Sequence, residues 1–125
     1  MEIDDYKVQS IASNYGFELD NASTEAKNLG IKESGAKIEF IEKKAKKYLK
    51  SLSLTGELMV LDFAYREDPL IFGSEKWGNL VQSEIDKKLH SKEVKEKSQA
   101  LGYSSVKDFY NAKFEELCGE QSLER

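Results

Sequence analysis

Side chains that commonly carry catalysis are scarce in this chain, which has one histidine and one cysteine in 125 residues. His90 and Cys118 supply too few ligands for a zinc site, and a histidine-dependent triad would have to use His90. Its neighbour Ser91 does not face it on a helix, since adjacent residues point in different directions. Glycine-rich phosphate-binding loops and the metalloprotease helix motif are absent from the sequence. We therefore expect no enzyme, no metal and no cofactor, with His90 on the surface and Cys118 packing near a helix end.

Carboxylates concentrate between residues 55 and 75, where five acids and one arginine leave a net charge of −4. The five acids are Glu57, Asp62, Glu67, Asp68 and Glu75. Carboxylate pairs can bind a metal or share a proton, but this spacing matches no standard metal-binding loop. Asp62 lies four residues before Arg66, so a helix would join the two in an ion pair. We interpret the segment as that ion pair with a solvated acidic turn, and Asp62 as the one candidate for catalysis.

The clearest binding signal is a concentration of lysines between residues 31 and 54, where seven lysines and three glutamates leave a local charge of +4. At about 100° per residue, one side of a helix would carry five of them, opposite an apolar side: Lys43, Lys44, Lys46, Lys47 and Lys50. Such a side can track phosphates or present a complementary patch to a partner protein. A solvated, stabilising face explains the pattern as well, because Glu39–Lys43 and Glu42–Lys46 have the favourable order of helical ion pairs. No arginine, the usual reader of bases, lies in this stretch.

Composition predicts one folded, acidic domain. Hydrophobic residues make up 39% and charged residues 34% of the chain, so it can bury a core, and its net charge is −4. That charge argues against a surface coated for nucleic acid or anionic lipid. The acidic first five residues are unlike an export signal, and the longest apolar run has four residues where a bilayer span needs about 20. We therefore expect a cytoplasmic protein without membrane contact.

Helical periodicity dominates the first half of the chain. An apolar stripe that begins at Val8 predicts a first helix over residues 4–15. A short second helix is predicted over residues 22–29. A third helix, residues 36–52, turns an apolar side to the core: Ile38, Ile41, Ala45, Tyr48, Leu49 and Leu52. Three predicted helices end at a glycine that an apolar residue follows, as in the Schellman motif: Gly16, Gly30 and Gly102.

Residues 55–68 are apolar almost all round a helix, as in a central buried helix, and a strand is the competing interpretation. Of the seven apolar residues between Leu58 and Tyr65, only one is β-branched, which argues against a strand. Thr55 can cap a helix at its start, and Pro69 can end it. We favour a helix. Ser74 is expected to cap the next helix and Ser105 the last one.

The predicted class is therefore all-α: one compact helical domain of five to seven helices over residues 1–125, with a frayed tail from about residue 119. If residues 57–72 instead form a hairpin, the class becomes α+β.

Residues 92–117 have the pattern of a helix, a turn and a second helix. The stretch from Ala100 to Ser105, with Phe109, Phe114 and Gly119, resembles the second helix-turn-helix of AraC-type transcription regulators in its leucine-glycine-aromatic turn and spaced phenylalanines. The resemblance implies a DNA-binding hairpin, although the family's first helix-turn-helix is not visible. Where family members usually carry arginine or lysine, this chain has Asn111, Glu115 and Glu116.

For function, we expect a small intracellular, non-enzymatic binding module of the regulator, inhibitor or immunity type, which docks on another protein. The positive observation is that charge alternates in blocks: −4 over residues 1–30, +4 over 31–54 and −4 over 55–75. The partner contacts are assigned to the five lysines from Lys43 to Lys50. The alternative is a DNA-binding regulator that uses either those lysines or the hairpin at 92–117, and the oligomeric state stays open.

Overall fold

The computed structural model describes residues 5–119, and of residues 118 and 119 only the backbone. The predicted frayed tail and the packing role of Cys118 lie outside this description. Within it there are six α-helices and no strand, so the fold is all-α and residues 57–72 do not form a hairpin. A π-helical turn, Glu115–Gly119, follows the last helix. The helices are α1 Asp5–Asn28, α2 Ser34–Lys50, α3 Glu57–Glu67, α4 Glu75–Leu89, α5 Lys92–Ala100 and α6 Val106–Phe114.

Helix α1 passes through Gly16, so the prediction of two helices broken at that glycine was wrong. Gly16 does not adopt a positive φ. The reason is tertiary: Tyr15, Leu19, Ala22 and Ala26 form one continuous buried stripe. Burying that stripe against α2 outweighs the cost of about 1 kcal/mol for one glycine inside a helix.

The ends at Gly30 and Gly102 are as predicted. Both glycines have a positive φ, 79° and 87°. Each is followed by an amide that bonds five residues back, Ile31 N to Ala26 O at 3.1 Å and Tyr103 N to Ser98 O at 3.0 Å. This is the bond of a Schellman motif, in which glycine supplies the left-handed conformation.

Helix α3 is the centre of the fold, because all eight residues from 58 to 65 are buried. Helices α1 and α4 pack against it. The predicted cap at Thr55 was wrong, since Gly56 occupies the N-cap and no side chain bonds the first turn. Ser74 and Ser105 do cap α4 and α6, by accepting bonds from Lys76 N at 3.2 Å and Asp108 N at 3.1 Å.

Helix α2 buries a narrower side than its pattern predicted. Ala45, Leu49 and the following Leu52 are buried, whereas Ile38 is 44% exposed. Ile38 lies one turn from the start of α2, and the deeply buried residues of this helix all lie nearer its other end.

Gly78 in α4 lies close against Tyr65 of α3, and it gives a matched test of packing. A Cβ added there would overlap the ring of Tyr65, while a Cβ at Gly16 would meet nothing within 4 Å. We expect Gly78→Ala to lower the free energy of unfolding by about 2 kcal/mol. Gly16→Ala should raise it by about 0.5–1 kcal/mol, because alanine is the better helix former. Urea unfolding measures both, and equal effects of the two substitutions would contradict this account.

The buried phenol of Tyr15 predicts a loss of stability at alkaline pH. Its hydroxyl donates to Trp77 O at 2.8 Å, and burial raises its pKa above the ordinary value of about 10. The hydroxyl therefore stays protonated to a higher pH in the folded state than in the unfolded chain. Its contribution to the free energy of unfolding is complete below pH 10 and is lost as the pH rises further. The free energy of unfolding should fall between about pH 10 and 11, and less steeply in Tyr15→Phe. Tyr6 is 82% exposed, so Tyr6→Phe should keep the wild-type slope, and a Tyr15→Phe slope as steep as that control would refute the assignment.

Candidate functional site

The five predicted lysines all lie exposed on α2, and the structure divides them into two groups. Lys44 and Lys46 lie at the two edges of the exposed side, where α2 meets α1 and α4. Lys44 Nζ is 3.4 Å from Glu25 Oε2 of α1. Lys46 Nζ is 3.1 Å from Glu42, the pair that its spacing predicted. These two lysines are therefore engaged within the chain.

Glu42 joins α2 to α4, because its other oxygen lies 2.7 Å from Lys76 Nζ. Hydrogen bonds from Lys76 and from Lys46 lower the pKa of Glu42, against a smaller opposing effect of burial. The carboxylate is therefore held in its charged form between two lysines.

The remaining three lysines, Lys43, Lys47 and Lys50, form what we call the lysine row. Their spacing of four and then three residues places them on one line along α2, about 10 Å from first to last. None of them makes an ion pair within the described part of the chain, and the predicted Glu39–Lys43 pair is not formed. The row is therefore a line of positive charge without an intrachain partner.

A surface depression of about 430 Å³ adjoins the lysine row. Its apolar floor comes from Ile31, Ala36 and Phe40, and lysines and glutamates of α2 form its rim. The Lys44 ammonium lies 5.6 Å from the centre of the Phe40 ring, within the range of a cation–π contact. This depression was not predicted, because Phe40 lies on the charged side of α2. The available signal was Phe40 itself, since no apolar side of α2 accounts for it.

Asp62 makes the predicted ion pair and is 1% exposed. Arg66 of α3 donates to both its oxygens, Nε to Oδ1 at 3.2 Å and Nη2 to Oδ2 at 2.9 Å. Gln82 Nε2 of α4 donates to Oδ1 at 3.3 Å, and Tyr110 OH of α6 donates to Oδ2 at 2.9 Å. The four acceptor positions of this carboxylate are therefore occupied. Gln82 and Tyr110 were not predicted, because they are 20 and 48 residues away.

The other four acids of the 55–75 segment do not join Asp62. Glu57, Glu67, Asp68 and Glu75 are all exposed. Asp68 accepts a bond from Leu70 N at 3.1 Å in the turn after α3. Between residues 5 and 117, no three histidine, cysteine, aspartate or glutamate side chains lie where they could hold a metal ion together.

His90 is exposed, as expected, at the end of α4, and its Nδ1 lies 2.8 Å from Asp86 O. Ser91 serves structure, since its Oγ accepts a bond from Val94 N at 3.3 Å and caps α5. His90 and Ser91 therefore do not act as a pair.

The hairpin at 92–117 has the predicted path of helix α5, a turn at Gly102 and helix α6. In the turn, Tyr103 packs edge-on against Phe109 at 5.6 Å. Asn111, Glu115 and Glu116, the positions where the AraC-type family usually has arginine or lysine, are all exposed. Glu116 pairs with Lys113 at 3.2 Å.

Comparison with protein-family models, with curated proteins and with solved structures found no match to this chain. The resemblance to AraC-type transcription regulators is therefore limited to residues 100–119. None of the helices between residues 5 and 119 is both long enough and apolar enough to cross a bilayer.

Removal of the Asp62 carboxylate should destabilise the domain strongly. Asp62→Ala leaves a buried phenol, an amide and a guanidinium without their acceptor, and we expect a loss of about 3 kcal/mol in the free energy of unfolding. Tyr110→Phe removes one of the bonds and should cost about 1 kcal/mol. The control is Asp68→Ala in the exposed turn, which removes one bond from Leu70 N and should cost about 1 kcal/mol or less. Urea unfolding ranks the three, and a loss in Asp62→Ala no larger than in the control would contradict the network.

Proposed function

We propose that this chain is a cytoplasmic, non-enzymatic binding module that docks an acidic segment of another protein on the lysine row and the adjacent depression. The observation that carries the proposal is the alignment of Lys43, Lys47 and Lys50, none of which has a carboxylate partner between residues 5 and 117. Regulators, inhibitors and immunity-type proteins work by such docking. The occupied acceptor positions of Asp62 favour binding over catalysis, since a general base needs a free lone pair.

The geometry of the lysine row suggests the form of the partner. Carboxylates repeated at the same spacing along one side of an acidic helix would meet the three ammonium groups. One apolar side chain of the same helix would enter the depression over Phe40. The paired lysines at the edges are less available, because binding through them would break the contacts of Lys44 with Glu25 and of Lys46 with Glu42.

The depression favours a protein partner over DNA. A phosphate backbone uses positive charge but has no group that fills an apolar floor, whereas an apolar side chain of a protein partner can occupy it. The lysine row has no arginine for reading bases. We therefore propose a protein partner, and DNA is the competing ligand in the experiment.

The test uses a designed helical peptide with glutamates at positions i, i+4 and i+7 and one leucine beside them. Titrated into the ¹⁵N-labelled protein, it should shift the amide resonances of the lysine row and of Phe40 and Ile31. The same peptide with glutamine in place of glutamate should bind at least about tenfold more weakly, because the three opposite charges are gone.

Charge reversal of the whole row, Lys43→Glu with Lys47→Glu and Lys50→Glu, should weaken peptide binding at least about tenfold without unfolding the helices. The matched control reverses three exposed lysines of α5 and should leave binding unchanged: Lys92→Glu, Lys95→Glu and Lys97→Glu. A short DNA duplex is titrated in parallel. Tighter binding of the duplex to the row, with a steep fall of affinity as salt rises, would replace the proposal by DNA binding. Binding of neither probe to the row would refute docking at this surface.

A further inference from the structure

A cleft of about 360 Å³ lies over α3 between α4 and α6, and neither the proposed docking surface nor the core accounts for it. Its volume is in the range that small molecules occupy. At its base are Asp62, Arg66 and Gln82, and Leu89 and Val106 contribute apolar surface. The cleft therefore combines an apolar lining with a few polar groups, as small-molecule sites do.

Arg66 is held from two sides, by Asp62 and by the ring of Phe114. Asp62 takes its Nε–H and one N–H of Nη2, and the ring of Phe114 lies 4.5 Å from the guanidinium carbon. A guanidinium carries five N–H groups, so three stay available. They include one N–H of Nη1 and one N–H of Nη2, which form a parallel pair at the end of the side chain. No other acceptor contacts Arg66 within residues 5–119, and its side chain is 51% exposed. The free end is thus held in place before any ligand arrives.

The remaining polar groups favour a negative ligand. Asp62 is buried with its acceptor positions occupied, so the charged group still available at the base of the cleft is the Arg66 guanidinium, beside the neutral amide of Gln82. Lys107 and Asn111 also line it and add an ammonium and an amide. The opposing charge is Asp86, whose side chain is 74% exposed and lies 3.7 Å from His90 Nδ1, so water screens it.

We propose that this cleft binds a small carboxylate with a short aliphatic body. The carboxylate accepts two parallel hydrogen bonds from the free end of Arg66, the fork geometry that guanidinium and carboxylate share, and Lys107 adds charge. The aliphatic body lies against Leu89 and Val106. In this arrangement Asp62 is a positioning residue, because it holds Arg66 and does not touch the ligand.

Binding of 4-methylpentanoate is the direct test, with its neutral amide, 4-methylpentanamide, as the paired probe. Titration into the ¹⁵N-labelled protein at millimolar concentration should shift amide resonances of α4 from Gln82 to His90 and of α6 from Val106 to Asn111. We expect the amide to bind at least about tenfold more weakly, since it lacks the charge that strengthens both hydrogen bonds. No shift with either compound, or equal binding of the two, would overturn the proposal.

Two variants locate the site. Arg66→Lys keeps the charge and removes the fork, and should weaken carboxylate binding at least about tenfold. Val106→Phe fills the cleft without removing any bond of Asp62, and should abolish binding while the far-ultraviolet circular dichroism stays that of the wild type. Lys95→Gln, on the exposed side of α5, is the matched control and should bind as the wild type does. Unchanged binding in Val106→Phe would place the carboxylate elsewhere and refute the assignment. Because Val106→Phe leaves the lysine row intact, its binding of the acidic peptide is a separate readout of the proposed function.

Discussion

The arrangement of α4 and α6 around α3 depends on how one buried carboxylate is satisfied. Helix α3 can be buried on all sides only if Asp62 finds donors inside the protein, because an unpaired charge there would cost several kcal/mol. Its donors come from three helices: Arg66 from α3, Gln82 from α4 and Tyr110 from α6. Each bond restricts where the donor's helix can lie. The same network holds Arg66, which lines the cleft, by one side of its guanidinium, so one constraint produces both a packing arrangement and a preorganised donor.

The lysine row has a different origin, since it follows from which neighbours α2 has. Packing of α2 between α1 and α4 brings Glu25 beside one edge of its exposed side and Lys76 beside the other. Charges at these edges are neutralised by neighbours on other helices or, for Lys46, by Glu42 of α2 itself. The three lysines between the edges have no carboxylate partner within residues 5–117 and keep their charge. Blocks of opposite charge along the sequence thus become pairs at helix contacts and an unpaired row between them.

Local rules predicted much of this structure from the sequence, and distance along the chain limited the rest. The glycine ends at Gly30 and Gly102 and the Asp62–Arg66 pair each depend on residues within five positions, and each was predicted. Gly16 was misread because the stripe that carries α1 through it is stabilised by burial against α2, which no local pattern contains. The bonds from Gln82 and Tyr110 to Asp62 span 20 and 48 residues. Hence the lysines were identified as candidates from the sequence, whereas their division into paired and unpaired groups and the existence of the cleft were not.

Helix α4 connects the two proposed surfaces, and its geometry determines how they would influence each other. Lys76 contacts Glu42 beside the docking surface, and Gln82 contacts Asp62 in the cleft, six residues further along the same helix. A ligand that binds only the folded state stabilises it by mass action, and a ligand in the cleft would touch both α4 and α6. A peptide on the lysine row would touch α2 alone and the loop before it. The two ligands therefore stabilise the fold independently as long as α4 keeps its position. Coupling between two sites requires that the ligands differ in affinity for two arrangements of a shared element. The two surfaces become coupled only to the extent that one ligand shifts α4.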